Sequence, residues 1–138
     1  MSRYKSEQTA YSPLKKKYIP LWRLDTTTLT VTHFNADTQT EESKTYNTDF
    51  IRYHLHFSDR HCPDRLCRLV NEGRIIQYLD DMERKVSDAI TRQVELWKQT
   101  DSCYQKAVLA SDSKKMLGLE HCFVYMAREA VFECMVYI

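Results

Sequence analysis

From Ile75 to Trp97, apolar residues recur at Ile75, Leu79, Met82, Val86, Ile90, Val94 and Trp97, at spacings of three and four. That period draws one continuous stripe along an α-helix and fits no strand. It predicts a long helix over about 74–99. A second stripe, Met116, Leu119, Phe123, Ala127, Ala130, Cys134 and Tyr137, predicts another over about 112–137. The link between them, "DSCYQKAVLAS", reads as a short connection with room for a helical turn, so the two helices are expected to pack antiparallel. The aromatic, thiol and thioether groups of the stripes read as core. Upstream, Pro63 suits a first helical position and Gly73 a stop, which predicts a short helix over about 63–71.

The segment ahead of these helices reads as β structure, about 21–57. "TTTLTVTHF" is rich in β-branched residues, with Leu29, Val31 and His33 alternating with Thr30, Thr32 and Phe34. "DFIRYHLHF" alternates more cleanly: Ile51, Tyr53, Leu55 and Phe57 fall on one strand face, Arg52, His54 and His56 on the other. The polar stretch between them reads as a turn with a short third strand near 44–46. The N-terminal 19 residues read as a basic arm with a helical turn in "SPLKKKYI". The expected fold is α+β, one domain over 1–138: a small antiparallel sheet or hairpin on an antiparallel helical bundle.

Composition excludes several classes. Two glycines in 138 residues leave no room for a Walker loop or a dinucleotide fingerprint. No G-x-S-x-G elbow, H-E-x-x-H pair or C-x-x-C pair occurs. No apolar run approaches the ~20 residues of a membrane span. The N-terminus lacks the apolar core of a secretory signal. Five scattered cysteines, an odd number, read as reduced and buried thiols. An intracellular protein is expected. The net charge of +1 is uneven: Arg3, Lys5, Lys15, Lys16, Lys17 and Arg23 face Glu7 alone before residue 24, whereas Asp37, Glu41, Glu42 and Asp49 outweigh Lys44 further on.

Four clusters could carry chemistry. His54, His56, His61 and Cys62, with Cys67 nearby, offer nitrogen and sulfur to a metal, but only one closely spaced ligand pair is clear, so a solvated histidine face with Cys67 inside is preferred. Cys62 beside His61 and Cys122 beside His121 are sequence neighbours that diverge on a helix, so neither makes a nucleophile–base dyad. The carboxylates Asp80, Asp81, Glu83, Glu129 and Glu133 lack the Glu-x-x-His pairs of a di-metal bundle. The run Lys15, Lys16, Lys17, flanked by Tyr11, Tyr18 and Trp22, with Arg23 close by, has the make-up of a phosphate-contacting arm with stacking aromatics.

The helical part resembles the TnpV family, small proteins encoded on transposons of Gram-positive bacteria. His61, Pro63, Leu69, Val70, Gly73, Arg74 and Ile75 fall in the order of that family's signature, and Gly118, Ala127, Glu129, Val131, Val136 and Tyr137 match its C-terminal helix. "YSPLKKKYI" is similar to its tyrosine-flanked basic segment. The tryptophan and asparagines that the family carries near the second glycine are replaced here by "LGLEHCF". About forty residues, 20–60, stand between the basic segment and His61 where the family has almost none. The resemblance implies a mobile-element origin and no catalytic residue or cofactor. It makes the β zone an insertion, and an insertion of this kind implies a gained binding surface. The expected function is therefore non-catalytic: docking on a larger protein or nucleoprotein, in its sharpest form as an anti-CRISPR-type inhibitor of a host nuclease. Arg52, His54, His56, Asp37, Glu41 and Glu42 are the expected partner contacts. The alternative is a nucleic-acid-binding transposon accessory using Lys15, Lys16, Lys17 and Arg23. Stripes of this length need more cover than one small sheet provides, which leaves room for a homodimer.

Overall fold

The computed structural model describes residues 4–138; the first three, Arg3 of the expected arm among them, lie outside the described part. The architecture is α+β. Among the described residues, strands β1 (Tyr4–Lys5), β2 (Thr9–Ser12), β3 (Lys17–Pro20), β4 (Trp22–Asp25), β5 (Thr30–Asn35) and β6 (Thr40–Thr45) come first. Helices α1 (Asp49–His61), α2 (Pro63–Asn71), α3 (Ile75–Thr100), α4 (Ser102–Leu109) and α5 (Ser113–Val131) follow, and a π-helical turn spans Phe132–Val136. The chain forms two compact units, Met1–Glu83 with Tyr137–Ile138, and Arg84–Val136, so the division falls within α3.

In the first unit, β1, β4, β5 and β6 form an antiparallel sheet in the order β1-β4-β5-β6. Alternation gives the sheet two faces. Tyr4, Leu24 and Val31 share the inner face and join Ile51 and Leu55 of α1, Leu66, Leu69 and Val70 of α2, and Ile75 and Leu79 of α3 in one core. Over Thr30 and Thr32 the outer face is polar, Thr30 meeting Thr45 at 3.0 Å and Thr32 meeting Ser43 at 3.3 Å across the β5–β6 ladder, whereas Phe34 on the same face is buried. A separate hairpin pairs β2 with β3, Tyr11 opposite Tyr18.

Three hairpins in so glycine-poor a chain need another turn chemistry. Each connection has four residues, and a side chain just before it caps the turn. Ser12 Oγ accepts from Lys15 N at 3.3 Å. Asp25 Oδ1 accepts from Thr27 N and Thr28 N at 2.9 and 3.2 Å. Asn35 Oδ1 accepts from Asp37 N and Thr38 N at 3.0 and 3.4 Å. The last turn residue is left-handed each time: Lys16 at φ 54°, Leu29 at 58° and Gln39 at 58°. The caps offset conformations that are costly for residues with a Cβ.

The same device corrects the N-terminal expectation. Ser12 and Pro13 have the pattern of a helix start, but the chain turns back after four residues, so the expected arm with a helical turn is the β2–β3 hairpin. "DFIRYHLHF" also departs from expectation: it is helix α1, not a strand. Ile51 and Leu55, four apart, fit a strand face and a helix face equally well. The burial of His54 and Ser58 beside them, at helical spacing, decides for the helix. The cysteines depart too. Cys67, Cys103 and Cys122 are exposed and Cys62 is half-buried, because they lie off the apolar stripes, and Cys134, expected on a stripe, is exposed within the π-helical turn.

Helix α2 starts at Pro63 and ends as its sequence predicts. Arg74 N bonds Leu69 O at 2.9 Å and Gly73 N bonds Val70 O at 3.2 Å, the double bond of a Schellman cap, with Gly73 left-handed at φ 69°. A Cβ at Gly73 would also lie 2.8 Å from Trp22 Nε1. The α4 end repeats the cap without glycine: Asp112 N bonds Ala107 O at 2.9 Å, Ser111 N bonds Val108 O at 3.1 Å, and Ser111 takes φ 54°.

In the second unit, Val94 of α3, Tyr104 of α4, and Phe123 and Ala127 of α5 are the buried centre, with Ile90, Trp97, Met116 and Leu119 against them. Tyr104 Oη donates to Glu120 Oε1 at 2.7 Å, and Lys98 Nζ lies 3.3 Å from the same oxygen. Those two hydrogen bonds hold the Glu120 carboxyl below its usual range. The expected stripe of the last helix fails beyond Ala127: Ala130 and Cys134 are exposed while Val136 is buried. The wider π-helical turn at Phe132–Val136 rotates the C-terminal residues off the α-helical period.

Edge strand β6 and the residue after it are tied to α3. Lys44 Nζ and Tyr46 Oη donate to Asp80 Oδ1 at 2.6 and 2.8 Å. Partial burial favours the neutral acid, but the two hydrogen bonds and the Lys44 charge outweigh it and hold Asp80 below the ordinary 3.8. Burial, with the Asp80 carboxylate adding to it, pushes the Tyr46 phenol well above its usual range. A carboxyl depressed by folding stabilises the fold above its unfolded pKa, and that contribution is lost as pH falls through the folded value. The stability advantage of the wild type over Asp80→Asn, read by urea denaturation, is expected at neutral pH and should shrink as pH falls below the ordinary carboxyl value of 3.8. The advantage is small, because the Asp80 side chain is 43% exposed.

The two glycines are expected to behave oppositely. Gly73→Ala combines a left-handed alanine with displacement of the Trp22 ring and should cost about 2 kcal/mol in urea denaturation. Gly118→Ala adds a Cβ that meets nothing within 4 Å in the middle of α5. It should stabilise by about 0.5–1 kcal/mol.

Candidate partner-binding surface

The β2–β3 hairpin carries the most conspicuous exposed groups of the first unit. Its register, with Ala10 opposite Ile19 and Tyr11 opposite Tyr18, gives it two faces. Ile19 and Ser12 are buried, whereas Tyr11 is 49% exposed, Tyr18 71% and Leu14, at the turn, 90%. The two tyrosine rings pack edge-to-face with centroids 5.4 Å apart. A ring pair held by a hairpin, with a bare leucine at the tip, presents apolar area at little entropic cost.

The hairpin is fastened to the sheet by charge. Lys15 Nζ lies 3.0 Å and Arg23 Nη2 2.9 Å from Glu41 Oε1, so two expected phosphate contacts are clamped by an expected partner contact. The two outer cations of the basic run, Lys16 and Lys17, are exposed and have no ion pair among the described residues. The predicted basic arm is thus split, with half its charge spent internally. Trp22 is not a free stacking platform either: its ring lies on His33, centroids 4.1 Å apart and 18° from parallel.

The other expected contacts scatter. Asp37 sits in the exposed β5–β6 turn and Glu42 on exposed β6. Arg52 and His56 are exposed on α1, four residues apart on one helix face, with Arg52 3.8 Å from Asp49. His54 is the correction: it faces inward with no exposure, and its Nε2 lies 2.7 Å from Tyr78 Oη. Ser58 Oγ, 3.5 Å from the same nitrogen, accepts from Arg65 Nη2 at 2.6 Å, and Arg65 Nη1 reaches the Ile138 carbonyl at 2.8 Å. Burial pushes the Tyr78 phenol up, against a partly opposing Arg65 charge. His54 is therefore a structural histidine in a buried network, and Arg52, His54 and His56 do not form one surface. It is also separated from His56 and His61, and among the described residues no three His, Cys, Asp or Glu side chains come together as a metal site would require.

Leu14 carries no local signal of exposure, because the β2–β3 turn is what carries it outward. Tyr11 and Tyr18 were legible as flanking aromatics, but their pairing needed the hairpin register. Edge strand β6 is exposed along its whole length. Its charges, Glu41, Glu42 and Lys44, discourage indiscriminate strand pairing, which makes the hairpin the better docking element. Among the described residues no helix is long and apolar enough to cross a membrane. Comparison with family models, curated proteins and solved structures finds no match.

The Glu41 clamp has a measurable consequence. Glu41→Gln releases Lys15 and Arg23, so binding to single-stranded DNA at low salt should strengthen. The slope of log affinity against log salt should steepen by one to two phosphate contacts, roughly 0.7 each. Fluorescence anisotropy across a salt series reads both changes.

Proposed function

We propose that this protein is a non-catalytic binding protein that docks on a larger protein or nucleoprotein through the outer face of the β2–β3 hairpin. The observation that carries this reading is the exposed Tyr11, Leu14 and Tyr18 group on a strand pair fastened to the sheet by Glu41. Aromatic anchors flanked by two free lysines, Lys16 and Lys17, have the composition of a protein-binding hot spot with a polar rim. The sharpest form keeps the origin implied by the TnpV-like residues: a mobile-element or phage protein of the bacterial cytoplasm that inhibits a defence nuclease of the CRISPR type. The nucleic-acid accessory reading is weaker, because Glu41 neutralises Lys15 and Arg23 and the net charge is only +1.

The test uses a guide-RNA-loaded, single-chain CRISPR nuclease and its cleavage of target DNA. The wild-type protein is expected to suppress cleavage near stoichiometry. Leu14→Asp combined with Tyr18→Ala should raise the half-inhibitory concentration at least about tenfold, while the far-ultraviolet circular dichroism stays unchanged. Tight, steeply salt-dependent retention of DNA by the protein alone, with no effect on cleavage, would favour the accessory reading. Sedimentation of the pure protein separates self-association from docking.

A further inference from the structure

A second feature of the first unit lies apart from the hairpin. One face of α1 carries Tyr53, His56, Phe57, Arg60 and His61, which with Tyr137 line an open groove of about 300 Å³. This is the lower end of the size range of small-ligand sites. The lining has two kinds of group. The rings form a wall: Phe57 and Tyr137 have centroids 5.9 Å apart, Tyr53 and Tyr137 6.5 Å, and Phe57 and His61 4.7 Å. Arg60, His56 and His61 supply a guanidinium and two imidazoles, and among the described residues no carboxylate lines the groove. Helical spacing brings this about, since positions 53, 56, 57, 60 and 61 recur at three and four and share one face.

Flat rings beside an unopposed guanidinium match a planar aromatic ligand that carries an anion. The rings take the plane by stacking, and the fork of Arg60 takes oxyanion oxygens in pairs. We propose that the α1 groove binds a nucleoside monophosphate, either free or as the phosphorylated end of a single strand. Its base lies against Tyr53, Phe57 and Tyr137, and its phosphate meets Arg60 with His56 and His61. A simple aliphatic anion would leave the rings unused, and a neutral nucleoside would leave Arg60 unused. The proposal does not depend on the hairpin docking described above.

Isothermal titration calorimetry of the full chain with adenosine monophosphate, adenosine and inorganic phosphate tests it. The monophosphate should bind at least about tenfold tighter than either fragment. Arg60→Ala should bring the monophosphate down to the level of adenosine. Tyr53→Ala should weaken monophosphate and adenosine together, about tenfold. Both side chains are exposed, so both variants should keep the wild-type circular dichroism, and Arg60→Lys and Tyr53→Phe provide conservative controls that retain part or most of the affinity. A phosphorylated oligodeoxyadenylate separates the two sources. Tighter binding than the monophosphate, lost in Arg60→Ala, assigns a strand end, and equal binding assigns the free nucleotide. No binding at millimolar monophosphate, inorganic phosphate binding as tightly as the monophosphate, or unchanged affinity in both alanine variants overturns the proposal.

Discussion

The first unit depends on one close approach. The indole of Trp22, on the inner face of β4, lies where a side chain at position 73 would have to begin. Gly73 is also where α2 must stop and the chain must turn into α3, with a left-handed backbone and two capping bonds. One residue therefore meets a conformational demand and a steric one together. The sheet sits close to the α2–α3 corner because there is no Cβ between them, and the Leu24, Val31, Leu69 and Ile75 core closes around that corner.

Turn chemistry sets the surface in the same way. Three four-residue turns without glycine place lysine, leucine and glutamine in left-handed positions, each steadied by a serine, aspartate or asparagine side chain. The first of these turns carries Leu14 outward and brings Lys15 to Glu41. A basic run that looked uniform becomes two populations: cations that hold the hairpin in place and cations that face solvent. This redistribution separates a docking surface from a phosphate arm more sharply than composition can.

The helical half was largely legible. Pro63, Gly73 and the stripe from Ile75 to Trp97 placed α2 and α3 to within a residue, because helix period and cap chemistry are local. The errors came where one pattern fits two periods. Ile51 and Leu55 are two strand pleats or one helical turn apart, and only burial of His54 against Tyr78 selects the helix. Ser12-Pro13 starts a helix or a tight turn, and the pairing of Tyr11 with Tyr18 selects the turn. With α1 read as a strand, Arg52, His54 and His56 shared a face. On the helix, His54 points to the core and His56 to the groove.

The sequence by itself determined the α+β class, the long helices and the absence of glycine-dependent phosphate loops. These follow from side-chain periodicity, cap residues and glycine count, all properties of neighbours along the chain. Only the tertiary structure decided which cations are free, which histidine is buried and which rings share the α1 groove. Each of those depends on an approach between residues far apart in sequence: Lys15 to Glu41, His54 to Tyr78, and Phe57 to Tyr137. No local rule carries such a pairing, because it is the packed core that brings the partners within reach.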